Sequence, residues 1–572
     1  MPKAKSVRIP LAVAGPIDCA YEGKELLDLS QFNRGTGFTA EERELFNLVG
    51  FLPASLQSLE DQTARAYDQY SSLADNLSKN TFLMSLKVQN EVLYFRLLQD
   101  HLKEMFSVIY TPTESEAIEQ YSRLFRRPEG CFLDINHPEH IERALAAWGS
   151  ANDVDYIIVS DGEEILGIGD QGVGAIGISS AKAALMTLCA GVHPSRCIPV
   201  ALDVGTDNED LLNDALYLGN RHSRVRGPRY DKFVDDFVQC VKSLFPRAVL
   251  HFEDFGLLNA RRLLEIYRPQ LPCFNDDVQG TGAVTLAALT AAVKVLKADF
   301  KNIRIVIFGA GTAGTGIADQ IRDYLGTEGV SKQQVMDHIW LVDKPGLLLE
   351  SMAGKLTPAQ VPYAAKDERW KGIDTTSLVE IVKKVQPHVL IGCSTKPKAF
   401  NEPVLREMAK HVKRPIVFPL SNPTRLHEAT PSEIMQFTND TALVATGSPF
   451  DPVNGREIAE NNNCFVYPGI GMGSILARVN RVTDKLIGAA VEELAMLAPS
   501  VVDEDAALLP DVADIREISA KIATAVVLQA LEDGVARVEQ FENVKVPRDK
   551  AECLKWVKAQ MWNPFYRPLR KV

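Results

Sequence analysis

The run Ile303-Arg304-Ile305-Val306-Ile307-Phe308 leads straight into Gly309-x-Gly311-x-x-Gly314, and this junction constrains the fold more than any other stretch. An apolar, β-branched strand that ends in a glycine turn and continues as a helix is the opening of a βαβ unit. The first glycine permits the tight turn, the second lets backbone approach a phosphate, and the third lets helix pack closely on strand. The helix then offers its N–H groups and the positive end of its dipole to a pyrophosphate. Further short apolar strands read at Ile339–Asp343, Val389–Ile391, Ile416–Leu420 and Ala442–Ala445. With their crossovers they describe a doubly wound sheet, whose ligands lie beyond the carboxyl ends of the strands. Those ends carry Gly309, Asp343, Cys393-Ser394, Asn422 and Gly447-Ser448. Asp343 ends the second strand, where an acid binds ribose hydroxyls and repels a 2′-phosphate, so NAD is expected rather than NADP. It comes later than the usual spacing of about 20 residues, a delay that an inserted turn over Gly326–Val335 accounts for.

At 572 residues the chain exceeds one core, so several domains are expected. The predicted architecture is α/β. A helical N-terminal domain covers 1–127, with helices at Thr39–Val49, Leu56–Ser71, Lys79–His101 and Glu114–Leu124 and a Thr113/Glu116 capping box. A central parallel α/β domain takes 128–277 plus 465–536, with strands at Tyr156–Ser160, Ile198–Asp203, Ala248–Phe252 and Phe465–Tyr467. A doubly wound Rossmann-type NAD-binding domain covers 278–464, and an aromatic, basic tail covers 537–572. A net charge of −12 argues against nucleic-acid and membrane-surface partners, both anionic. No uninterrupted apolar run reaches the roughly 18–20 residues of a membrane span. Nine cysteines without a Cys-x-x-Cys pair suggest reduced thiols and a cytoplasmic setting. The first seventeen residues are basic but short and interrupted by Pro2, Pro10 and Pro16; a mitochondrial-matrix location is the alternative.

Phe274-Asn275-Asp276-Asp277-Val278-Gln279-Gly280-Thr281 sets two adjacent carboxylates upstream of the glycine turn. His251-Phe252-Glu253-Asp254-Phe255-Gly256 adds two more at a strand end. Neighbours on a regular strand point to opposite faces, so Glu253 and Asp254 can share a ligand only if the chain bends, which Gly256 would permit. With Asp277 they would offer three hard oxygen donors suited to Mg²⁺ or Mn²⁺. Helix capping and loop solvation account for the same residues, and spacing alone leaves both readings open. Lys182 sits on an apolar helix, where desolvation would lower its pKa toward a general base. A solvated lysine on the outer face is the default. Tyr110 could be an acid or a packed aromatic. Arg221, Arg224, Arg226 and Arg229 read as a solvated loop, and Asn422, Asn462 and Asn463 as turn caps or ligand-orienting amides.

The ordered set Tyr110-Thr-Pro-Thr, Ile165-Leu-Gly-Ile-Gly-Asp170, Asp203-Val-Gly-Thr-Asp207, Phe252-Glu-Asp-Phe255, Phe274-Asn-Asp-Asp-Val-Gln-Gly-Thr281, Gly309-Ala-Gly, Leu420-Ser-Asn-Pro-Thr424 and Gly447-Ser-Pro-Phe450 resembles malic enzyme over nearly the whole chain. The resemblance implies oxidative decarboxylation of L-malate to pyruvate and CO₂ with reduction of NAD, and decarboxylation of oxaloacetate. It implies a Mg²⁺ or Mn²⁺ ion held by Glu253, Asp254 and Asp277. It makes Lys182, paired with Asp276, the base at the C2 hydroxyl and Tyr110 the acid that protonates enolpyruvate at C3. Gly309, Gly311, Gly314, Asp343 and Asn422 become cofactor residues, and Asn422 and Asn463 substrate residues. Gln360 falls where NADP-using relatives tend to carry lysine. A homotetramer built as a dimer of dimers, with the tail reaching neighbouring subunits, is also implied.

Glu164 departs from the pattern, because many malic enzymes carry an arginine there that grips a substrate carboxylate. Ser115 also replaces a frequent glycine. Two alternatives follow: a malolactic enzyme that retains NAD and releases L-lactate, and a non-catalytic nucleotide-binding subunit.

Overall fold

The structure, a computed structural model, describes residues 15–327, 329–422, 424–542 and 544–572. Apart from residues 15–17, the basic N-terminal stretch lies outside the described residues. The chain forms two compact units: one runs to Ala248 and takes back Arg537–Val572, and the other is Val249–Ala536.

The second unit is organised by a seven-stranded sheet. Its order is Ala459–Glu460, Leu443–Thr446, Ile416–Pro419, Val389–Gly392, Ile305–Phe308, Ile339–Asp343, Gly346–Leu347. All neighbours are parallel except the last pair. The central strands are buried on both faces, which explains their unbroken apolar runs. Val306, Leu390 and Val417 meet Ile381, Leu405, Met408 and Ile434 of the covering helices in one core. After Ile305–Phe308 the chain builds outward to Ile339–Asp343, then returns to the other side at Val389–Gly392. The switch point of this doubly wound sheet therefore lies beside Gly309. In the same unit, strands Val249–Phe252 and Cys273–Asn275 run parallel with Phe252 opposite Asn275.

The first unit holds the parallel set Cys131–Asp134, Cys197–Asp203, Tyr156–Ser160 in that spatial order. The aromatic tail packs on this same unit. The Trp562 N–H donates to Gly191 O, its ring meets Phe95 edge-on, and Leu569–Lys571 pairs with Ile17–Cys19. Segments Gly172–Ala190 and Asp276–Val295 are long and apolar enough by composition to cross a membrane, yet most of each is buried inside the protein, as in core helices.

Several local expectations differ from what forms. The run expected as one helix over Lys79–His101 divides at Asn90, whose extended backbone ends Asn76–Gln89 and whose side chain caps Glu91–Asp100. No capping box forms at Thr113, which is buried and is already the first residue of the helix Thr113–Glu119, with Pro112 at the N-cap position. Phe465–Tyr467 is not a strand: a 3-10 turn, Asn463–Phe465, leads into the helix Tyr467–Ala477. The inserted turn before Asp343 contains a short helix, Lys332–Met336, capped by Ser331.

Helix Tyr467–Ala477 lies against Ile515–Glu532 at glycine distance. A Cβ on Gly473 would come 2.6 Å from Val526 Cβ and 2.8 Å from Ala523 O. Gly473→Ala should therefore lower stability by about 1–3 kcal/mol through overpacking, measured by urea denaturation; unchanged stability would refute this close approach.

Candidate active site

In the second unit, two parallel strands deliver the acidic residues. Their register sets Phe252 beside Asn275, so Glu253-Asp254 and Asp276-Asp277 leave neighbouring carboxyl ends together. The bend expected at Gly256 occurs at Asp254, whose φ of 53° is left-handed, while Gly256 has φ −56°. That conformation costs an L-residue of order 1 kcal/mol and is tolerated best by Asp and Asn among side-chain-bearing residues. It turns the Asp254 N–H onto Asp277 Oδ2 at 2.8 Å. Ligand atoms of Glu253, Asp254 and Asp277 all come within 4.8 Å of one another, with Glu253 and Asp254 buried. Three carboxylates so close repel one another, and a divalent cation with oxygen preference fits the set.

Residues Asp276–Gly280 form a wide π-type turn, held by Asn275 Oδ1 accepting from Val278 N and Gln279 Oε1 accepting from Asn275 N. A Cβ on Gly280 would sit 1.9 Å from Asp276 Oδ1, so only glycine leaves room for that carboxylate. Asn463 approaches the same turn, donating to Asp276 O at 3.3 Å and to Thr281 Oγ1 at 3.0 Å. The helix after the glycine turn, Thr312–Thr327, packs on it so tightly that a Gly316 Cβ would be 2.6 Å from Val278 O. The acidic cluster and the nucleotide turn therefore belong to one rigid packing arrangement in this unit.

At the switch point Gly309 has φ 104°, and a Cβ there would strike Cys393 backbone at 2.4 Å. A Gly314 Cβ would meet Gly309 O at 1.9 Å, whereas nothing lies within 4 Å of a Gly311 Cβ. The second glycine thus presents open backbone, as a pyrophosphate requires. Asp343 stands at the end of its strand with Oδ2 accepting from Gln360 Nε2 at 3.0 Å; the same amide reaches Ala310 O at 2.9 Å. Asn422 links two strand-end loops, donating to Gly447 O at 2.9 Å and accepting from Ser448 Oγ at 2.5 Å.

Two residues near these loops carried no assignment from sequence. Glu428 is fully buried and accepts from Ser394 N, Ser394 Oγ and Ser421 Oγ, binding the ends of two central strands. His251 is fully buried against Glu253. Glu428 lies outside any motif, and His251 opens the run to Gly256, where its two-residue spacing from Glu253 marks a shared face but no hydrogen bond.

In the first unit, Lys182 on the helix Ala175–Ala190 is 1% exposed, against the default of a solvated lysine. Its Nζ lies 5.5 Å from the centroid of the Tyr110 ring, itself buried at the end of Leu102–Ile109. The two proton-transfer candidates are thus neighbours. The N-terminal approach to the Lys182 helix is clamped. Arg224, buried rather than solvated, donates to both Asp170 carboxylate oxygens and to Asp161 O, and Tyr230 Oη donates to Asp161 Oδ2. Burial works against the Arg224 charge, but Asp161 and Asp170 outweigh it and hold the guanidinium above its ordinary pKa. Glu164 is exposed on the segment this clamp fixes, and Arg226 pairs with Glu163 and Asp207. Glu114, whose N–H donates to Tyr110 O, is pushed up to about 8 by burial, against the pull of Arg126 and Asn80.

Two outcomes follow. Gly314→Ala should abolish NAD binding in a fluorescence titration, since its Cβ collides with the turn; retained affinity would refute the turn's role. Glu114 has a folded pKa above its unfolded value, so its stabilisation is complete below about pH 4.5 and lost as pH rises through about 8. Glu114→Gln should flatten that loss in denaturation curves, and an unchanged slope would refute the assignment.

Residues 87–268 match the family model described as the malic enzyme N-terminal domain, and residues 278–531 match the malic enzyme NAD binding domain. The chain is 55% identical over 571 residues to the NAD-dependent malic enzyme, mitochondrial, of Saccharomyces cerevisiae, covering 98% of this chain and 85% of that protein. It is 44% identical over 569 residues to the NAD-dependent malic enzyme of Schizosaccharomyces pombe, covering 98% and 100%. A solved malic enzyme from Entamoeba histolytica shares the fold with a TM-score of 0.53 at 24% identity, over 91% of each chain. This chain, with its α/β architecture and glycine-turn nucleotide domain, belongs to the malic enzyme family of oxidoreductases.

Proposed function

We propose that the protein catalyses NAD-dependent oxidative decarboxylation of L-malate to pyruvate and CO₂, with Mg²⁺ or Mn²⁺ held by Glu253, Asp254 and Asp277. The observation that carries this reading is the convergence of those three carboxylates within 4.8 Å, in the unit that also holds the glycine turn. Bound NAD would supply a hydride acceptor for C2 of malate, and a cation held by Glu253, Asp254 and Asp277 would supply Lewis-acid polarisation of the C2 oxygen.

Lys182 accepts the C2 hydroxyl proton; its near-complete burial favours the neutral amine that a base requires. Asp276 is assigned to the same proton-transfer step. Loss of the C4 carboxylate as CO₂ leaves enolpyruvate, and Tyr110 delivers a proton to its C3. Lys182 Nζ lies 5.5 Å from the centroid of the Tyr110 ring, so the proposed base and acid are neighbours in one unit. Asn422 and Asn463 orient the substrate, each already held by its hydrogen bonds. Asp343 and Gln360 bind the adenosine ribose and disfavour a 2′-phosphate. Oxaloacetate, lacking only the oxidation step, is decarboxylated by the same groups. A homotetrameric assembly belongs to this reading.

Incubation with L-malate, NAD⁺ and Mn²⁺ should yield NADH and pyruvate in equal amounts. L-lactate without net NADH would replace this reading with the malolactic one. Asp277→Ala should lose metal-dependent turnover by at least about 100-fold while retaining NAD binding; unaltered turnover would remove Asp277 from the cation site.

A further inference from the structure

His251 and Glu253 are two residues apart at the end of the Val249–Phe252 strand, so both side chains leave the same face. His251 Nε2 lies 2.6 Å from Glu253 Oε2, and both side chains are within 2% of complete burial. An ionised carboxylate can only accept, so Nε2 carries the hydrogen. The imidazole is held between Phe274, with ring centroids 4.7 Å apart, and Tyr467, at 5.3 Å. Phe274 is also its register partner on the adjacent strand. Ring orientation is therefore set by packing on two sides, and the hydrogen bond transmits it to the carboxylate plane.

His251, Glu253 and Asp276 also present ligand atoms within 4.8 Å of one another. Two adjacent ligands on an octahedral ion with bonds of about 2.0–2.1 Å would stand about 2.9 Å apart. The observed 2.6 Å is that of a hydrogen bond, so the nitrogen faces the carboxylate and does not serve as a donor to a cation.

We propose that His251 is a positioning residue for the divalent-cation site. It orients Glu253 from behind, as the Asp254 N–H orients Asp277, and presets a small oxygen-lined site before the ion arrives. This rests on the reading that Glu253, Asp254 and Asp277 hold the cation. Removing the donor leaves Glu253 able to rotate and deprives a buried carboxylate of a partner, which weakens the ion without touching the nucleotide turn.

The test is Mn²⁺ binding to the full chain without substrate, read from the electron paramagnetic resonance signal of unbound Mn²⁺, beside NAD binding by fluorescence. His251→Leu and His251→Asn should each weaken Mn²⁺ about 10- to 100-fold. His251→Gln, whose longer amide reaches the same oxygen, should recover most of the affinity, and NAD binding should be unchanged in all three. Wild-type Mn²⁺ affinity in the Leu or Asn variant would overturn this proposal alone. A parent chain that fails to bind Mn²⁺ would overturn the cation reading and this proposal with it. A loss in the Gln variant equal to that in the Asn variant would also overturn it, because bulk rather than the hydrogen bond would then be at work.

Discussion

The bond from the Asp254 N–H to Asp277 Oδ2 is the contact on which the candidate site depends. It joins the ends of two parallel strands and requires left-handed backbone at an aspartate. In doing so it brings together carboxylates that a regular strand would send to opposite faces. Like charges about 4 Å apart in a partly buried setting repel by about 4 kcal/mol per pair. A cluster so arranged is costly by itself, and a bound divalent cation would convert the repulsion into attraction. The hydrogen bonds at its rear keep the carboxylates from turning apart in the meantime.

Glycine packing extends this arrangement to the cofactor. Gly280 admits the Asp276 carboxylate, Gly316 lets the nucleotide helix rest on the Val278 carbonyl, and Gly314 lets the same helix close on Gly309. Each of these three positions excludes a Cβ by a wide margin. The distance between acidic turn and glycine turn is thereby set by backbone against backbone, which deforms less than side-chain packing. For hydride transfer, where placement dominates the rate, rigidity of this kind is of direct use.

The proposed proton-transfer residues of the other unit are prepared differently. Lys182 is desolvated among small side chains on a core helix, and Tyr110 lies beside it. The approach to that helix is secured by Arg224, whose charge is met by Asp170 and Asp161 inside the protein. Pairing a buried arginine with two acids avoids the penalty of an isolated charge and gives the segment bearing Glu164 one conformation. Expecting a solvated arginine loop was reasonable from composition, because burial of an ion pair depends on partners more than 50 residues away in sequence.

Much of the fold was legible in the chain because it rests on local signals. Five apolar strands and the glycine turn have short-range patterns, and so determine a doubly wound nucleotide domain from sequence alone. The ordered motifs likewise marked the family and its candidate residues. Short strands such as Cys131–Asp134 and Cys273–Asn275 had too few residues to show a period, and the break at Asn90 interrupted a pattern that read as continuous helix. Only the tertiary structure decided that Asp254 bends the chain, that Lys182 is buried, that Gln360 braces Asp343 and that His251 supports Glu253. Those outcomes depend on burial and on which side chains meet, and patterns of period 2 or 3.6 show at most that His251 and Glu253 share a strand face.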